Sequence, residues 1–147
     1  MISVKRLSAI AAAVVATVGL WMVVTPATAD AATMPCARAA RACVDPATQE
    51  AWLVRGGKVI YGPVKVRTGR PGFRTAPGTF HVTFKDRNHV SSVYHTPMPY
   101  SVFFNGGDAF HQGSLTVPSH GCVHLSHAAA VRFYNTLHDG DEVQVVR

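Results

Sequence analysis

Phe110-His111-Gln112-Gly113 and, a short connection later, Pro118-Ser119-His120-Gly121-Cys122-Val123-His124 are the stretches on which the reading of this chain turns. A thiol among small and polar residues, with imidazoles on both sides and a glycine directly before it, has the composition of a reactive site and not of a packed core. Cys122 is the expected nucleophile. A thiol with an ordinary pKa of about 8.5 is mostly protonated at neutral pH, so it needs a positioned base or a cationic neighbour to supply thiolate. Imidazole titrates closest to neutrality, which makes His111 and His120 the candidate bases. Gly121 permits a sharp turn and close backbone approach beside the thiol, and N–H groups around such a turn suit the oxyanion of acyl transfer.

Working outward, most of the chain reads as strands. Ala51–Val54 and Lys58–Tyr61 flank Gly56-Gly57, the composition of a tight hairpin. Val64–Thr68 alternates at period two, and Gly69–Gly78, with three glycines and two prolines, is a loop. Thr79–Lys85 is expected to be one strand with Phe80, Val82 and Phe84 on one face and His81 on the other. Asp86–Ser92 reads as a polar turn and Ser92–Thr96 as a short strand that Pro97-Met98-Pro99 breaks, before an apolar strand over Tyr100–Phe104. Asn105-Gly106-Gly107-Asp108 then turns the chain toward His111. After the cysteine, Ser126 is the expected N-cap of a helix with Ala130, Val131, Tyr134 and Leu137 at helical spacing, stopped by Gly140. Glu142–Val146 closes as a strand. Many strands and one helix predict a mainly β, single-domain sandwich or barrel, with the helix packed on it just after the nucleophile.

At its quoted motifs the chain resembles the L,D-transpeptidase (YkuD-type) family, whose mark is a histidine-glycine element followed by Ser/Thr-His-Gly-Cys, a hydrophobic residue, then Asn or Arg. The similarity extends to Thr75-Ala76-Pro77-Gly78-Thr79-Phe80 and Met98–Phe104, and covers roughly residues 50 to 147. It implies that His111 is the base that activates Cys122, with the backbone carbonyl of Gln112 fixing the imidazole tautomer. It also implies that Ser119, His120 and Gly121 shape the nucleophile turn and oxyanion site, and that Ser119, His124 and Tyr100 face substrate. That substrate would be a pair of peptidoglycan stem peptides, one donating an acyl group to Cys122 as a thioester and the other accepting it. No cofactor is implied. Gln112 stands where glycine usually follows the histidine, and His124 replaces the usual Asn or Arg, so His124 either touches substrate or hydrogen-bonds the helix start at Ser126.

Two rival readings carry other chemistry. His120, Cys122 and His124 at i, i+2 and i+4, with His111 as a fourth ligand, have zinc-compatible types, but Gly121 argues for a turn there and no metal is expected. A secreted, non-catalytic wall-binding module would fit the size and charge, yet leaves Ser119–Cys122 unexplained.

The 147 residues suit one domain. Lys5-Arg6, the uncharged run Leu7–Val24 and Ala27-Thr28-Ala29 read as a secretory signal over residues 1–29, which would be the chain's membrane contact if it is not cleaved. Without Lys5 and Arg6, 12 basic residues remain against 8 acidic ones, a balance that favours anionic wall polymers. No basic run carries interleaved aromatics, so nucleic acid is not an expected partner, and a monomer is expected. Residues 30–47 form an Ala/Arg-rich segment ahead of a catalytic domain placed at 48–147. Export would put three cysteines where disulfides persist, and pairing Cys36 with Cys43 leaves Cys122 free.

Overall fold

Apolar alternation at period two organises residues 33–147, the part of the chain that the computed structural model describes; the secretory signal read at 1–29 lies outside these residues. The elements are β1 (Ala42–Asp45), β2 (Glu50–Arg55), β3 (Lys58–Arg67), β4 (Gly78–His81), β5 (Phe84–Val90), β6 (Pro97–Asn105), β7 (Asp108–Gln112), β8 (Val123–Leu125), α1 (His127–Thr136) and β9 (Glu142–Val145). They form one curled sheet in the order β4-β9-β1-β2-β3-β8-β7-β6-β5, with β4 coming back to meet β6 across the core. Val44, Leu53, Val143 and Val145 from one half face Val102, Phe104, Phe110 and Val123 from the other, and Phe133 and Leu137 of α1 fill the space between. Burying side chains of this size contributes about 1.5–3 kcal/mol each. The architecture is the expected mainly β sandwich with one helix after the nucleophile motif.

Local chemistry explains the elements. Gly56 and Gly57, at φ 57° and 77°, make the two-residue turn between β2 and β3, a backbone that side chains other than glycine rarely adopt. Ser126 caps α1, its hydroxyl accepting from the Ala129 N–H. At the other end Lys85 Nζ donates to the carbonyls of Tyr134 and Leu137 at 2.7 and 2.8 Å, satisfying acceptors that a helix C-terminus leaves open.

Several expectations are corrected. The sheet reaches back before residue 48: β1, inside the Ala/Arg-rich segment, lies between β9 and β2, with Cys43 and Val44 fully buried. In that segment Cys36 and Cys43 are joined by a disulfide. Val64–Thr68 is not a separate strand but the continuation of β3 beyond Gly62-Pro63. Thr79–Lys85 is not one strand either, because the chain crosses between sheet halves at Val82-Thr83. Phe80 in β4 pairs with Val143, whereas Phe84 in β5 turns outward and stacks on Phe103 with ring centroids 4.2 Å apart. The supposed polar turn at 86–92 is mostly β5, and 92–96 is the turn. Pro97 and Pro99 begin β6 instead of interrupting it. They pair with β5 on one side, while β7 reaches β6 only from Val102 onward, so on that second side no ladder asks for their missing N–H.

Candidate active site

The site is assembled by β7 and β8, which run parallel with Phe110 opposite Val123 and His111 opposite His124. Phe110 and Val123 point into the core, so Ala109 and His111 point to the other face, toward Met98 and Phe103. Cys122 packs there against that small apolar cluster. Its Sγ lies 3.6 Å from the Gly107 carbonyl, and the neighbouring Ala109 N–H favours its thiolate form. Two residues along β7 from Ala109, on the same face and about 6–7 Å away in Cα terms, stands His111.

His111 is 6% exposed, and its Nδ1 lies 2.8 Å from the Gln112 carbonyl. A carbonyl can only accept, so Nδ1 carries the proton and Nε2 is left as the basic nitrogen. Burial lowers the His111 pKa to about 4, against the opposing pull of the Gln112 carbonyl, with His124 and His89 adding to the depression. Burial likewise raises the Cys122 thiol to about 11; the Ala109 N–H opposes this and the Asp108 charge adds to it. In the free protein both partners are therefore neutral.

Ser119 holds the turn before Cys122. Its hydroxyl donates to the Cys122 carbonyl at 2.6 Å and accepts from the Gly121 N–H at 3.1 Å, and the residue is buried. Ser119 also lines the cleft over Cys122, with the hydrogen bonds of its hydroxyl used inside the turn. Gly121 adopts φ 134°, and a Cβ on it would run into the Asp108 carboxylate. From the 69–78 loop, Thr75 Oγ1 donates to the Gly121 carbonyl at 2.8 Å and accepts from the Gly69 N–H at 3.0 Å. The same loop joins the motif through Arg70 N–H to the Ser119 carbonyl and a bridge between Gly69 and Ser119.

A cleft of about 790 Å³ opens over Cys122, His111, His120 and His124. The His120 ring lies between Tyr94, stacked at 4.4 Å, and the edge of Phe73 at 5.2 Å, tying the loops on either side of the opening. The His124 ring meets His111 edge-on at 4.9 Å, and its Nδ1 bonds the Ser114 carbonyl, not the helix start at Ser126 as one sequence expectation had it. Gly113 is needed beneath it, since a Cβ there would sit 2.7 Å from that ring. Tyr100 does not join the cleft. Its ring packs edge-on against His127 and Tyr134, beside the helix and against the main core. Gln112 also contributes a side chain, whose Oε1 bonds His127 Nδ1 at 2.8 Å.

Sequence reasoning passed over four contributors: His89, which lines the cleft against Phe103 and bonds Asp86, together with Asp108, Thr75 and Tyr94. His89 lies within 86–92, which the sequence reads as a polar turn. Among the described residues no three His, Cys, Asp or Glu side chains converge as metal ligands.

Residues 39–145 match the family model described as the L,D-transpeptidase catalytic domain, YkuD. The chain belongs to that family. Among solved structures, an L,D-transpeptidase from Stackebrandtia nassauensis is 37% identical, with a TM-score of 0.69 over 72% of this chain and 54% of that one. The L,D-transpeptidase LdtMt1 in complex with imipenem is 25% identical, at TM-score 0.65 over 71% of this chain and 57% of that one. One from Mycobacterium smegmatis shares the fold at 24% identity and TM-score 0.67, over 72% and 58% of the two chains. This chain thus spans little more than half the length of those relatives. No curated protein matches it significantly.

Proposed function

We propose that this chain is an extracytoplasmic peptidoglycan L,D-transpeptidase that works through a Cys122 thioester. The observation that carries the reading is that one cleft holds both Cys122 and a buried, neutral His111 whose tautomer is set by the Gln112 carbonyl. With both groups neutral at rest, the thiol proton moves to His111 Nε2 as sulfur attacks the donor carbonyl. The Gly121 N–H is taken by Ser119, so the Cys122 and His120 N–H groups are the turn's donors left for the tetrahedral oxyanion. Collapse expels the terminal D-amino acid, whose amine takes the proton back from His111. The thioester then passes to an amine of a second stem, forming the cross-link and regenerating the thiol. Water in place of that amine would give a carboxypeptidase on the same intermediate.

The test is intact-protein mass after exposure to imipenem, since a relative has been solved in complex with that compound. Wild type should gain one adduct on Cys122, Cys122→Ser none, and His111→Ala at least about 100-fold more slowly, the usual scale of a lost general base. An adduct on Cys122→Ser at the wild-type rate would remove the thiol from the mechanism.

A further inference from the structure

Asp108 is the one carboxylate among the described residues lining the cleft, and no Lys or Arg lines it. The register explains its place: with Phe110 opposite Val123, Asp108 falls alongside Gly121, and its Oδ1 occupies the space where a side chain on Gly121 would begin. The residues on either side of it meet Cys122, Gly107 through its carbonyl and Ala109 by packing against the thiol. One carboxylate oxygen accepts a long bond of 3.3 Å from Asn105, and the other has no hydrogen-bond partner among the described residues. No cation pairs with it among those residues. Burial raises its pKa, the mark of a carboxylate that has lost water without gaining a counterion. An anion beside the sulfur also works against thiolate formation, so it does not serve the first half of the reaction.

A charge in that position suits what the second half requires. We propose that Asp108 holds the protonated primary amine of the acceptor stem beside Cys122, and so directs the thioester to an amine rather than to water. This rests on the acyl-transfer reading above. The bound ammonium releases one proton to solvent, and the neutral amine attacks the thioester carbonyl. As the C–N bond forms and the C–S bond breaks, the amine's second proton passes through His111 to the leaving sulfur, giving amide and thiol. The acceptor class is therefore a cationic amino-acid side chain.

The experiment preloads the protein with a disaccharide-tetrapeptide donor and offers two nucleophiles at neutral pH: a lysine-type primary amine, which is cationic, and hydroxylamine, which is mostly neutral. Mass spectrometry gives the ratio of amine adduct to hydrolysed tripeptide, normalised to the acyl-enzyme each variant forms. In Asp108→Asn the ratio should fall about tenfold for the cationic amine, the loss of one charge-assisted bond, and change little for hydroxylamine. Asp108→Glu keeps the charge and should keep the preference. An equal fall for both nucleophiles would make Asp108 a support of the Asn105–Asp108 turn, and an unchanged ratio, or Glu behaving as Asn, would overturn the assignment. Failure of the underlying acyl-transfer reading would show separately, as a wild type that forms no acyl-enzyme before any nucleophile is added.

Discussion

At the scale of single residues, the two central groups are set to be neutral, and that fixes how the protein responds to pH. A thiol at about 11 and an imidazole at about 4 predict that iodoacetamide alkylation of Cys122 keeps rising from pH 7 to 9 without a plateau. A plateau near neutrality would mean a thiolate–imidazolium pair instead. His111 also links pH to folding. Its folded pKa is depressed, so the unfolded chain binds the extra proton, and stability should drop by about 3 kcal/mol as pH falls from 6.5 to 4. Denaturation midpoints of wild type against His111→Gln should show that slope flattened in the variant. His111 and Cys122 were legible in the sequence because their chemistry is local: each sits beside the glycines and histidines that betray it. Asp108, Thr75 and His89 were not, since only strand pairing and loop closure bring them to the cysteine from 14, 47 and 33 positions away.

Among the elements, the 69–78 loop gained most from being seen in place. As sequence it reads as a glycine- and proline-rich loop, a plain connection or a substrate contact alike. In the fold it braces the nucleophile turn from behind, Thr75 meeting both Gly69 and Gly121. Thr75→Val keeps the shape and removes the hydroxyl, orphaning a carbonyl in a buried place, which should cost about 1–3 kcal/mol. Because the orphaned carbonyl adjoins Cys122, acylation by imipenem should slow as well; thermal melts and adduct rates on one sample would check both. A destabilised variant that acylates at the wild-type rate would show that the turn does not depend on the loop. β2, an apolar run ahead of a glycine turn, and β9, with its period-two alternation, were readable in advance. The β4–β5 crossing and the β5 strand were not, since Phe84 and His89 belong to an outer face that has its own aromatic packing against Phe103.

For the whole molecule, the decisive fact is that β1 pairs in parallel with β9, Ala42 opposite Val143. A chain starting at residue 48 would lack a strand from the middle of the sheet and leave β9 and β2 without their shared partner. It should fail to fold, whereas one starting at 33 should give cooperative unfolding by circular dichroism. A folded chain from residue 48 would show that β1 is dispensable. The same neighbourhood works from the other end, because β4 as well as β1 is held through β9. Chains stopped before Glu142 should therefore form no imipenem adduct, and their Cys122 should alkylate like a free cysteine. Contacts so distant in sequence form late. A polypeptide that appears amino end first thus carries its thiol unassembled until Glu142–Val145 is out, and a copy that ends before that strand is an inert one.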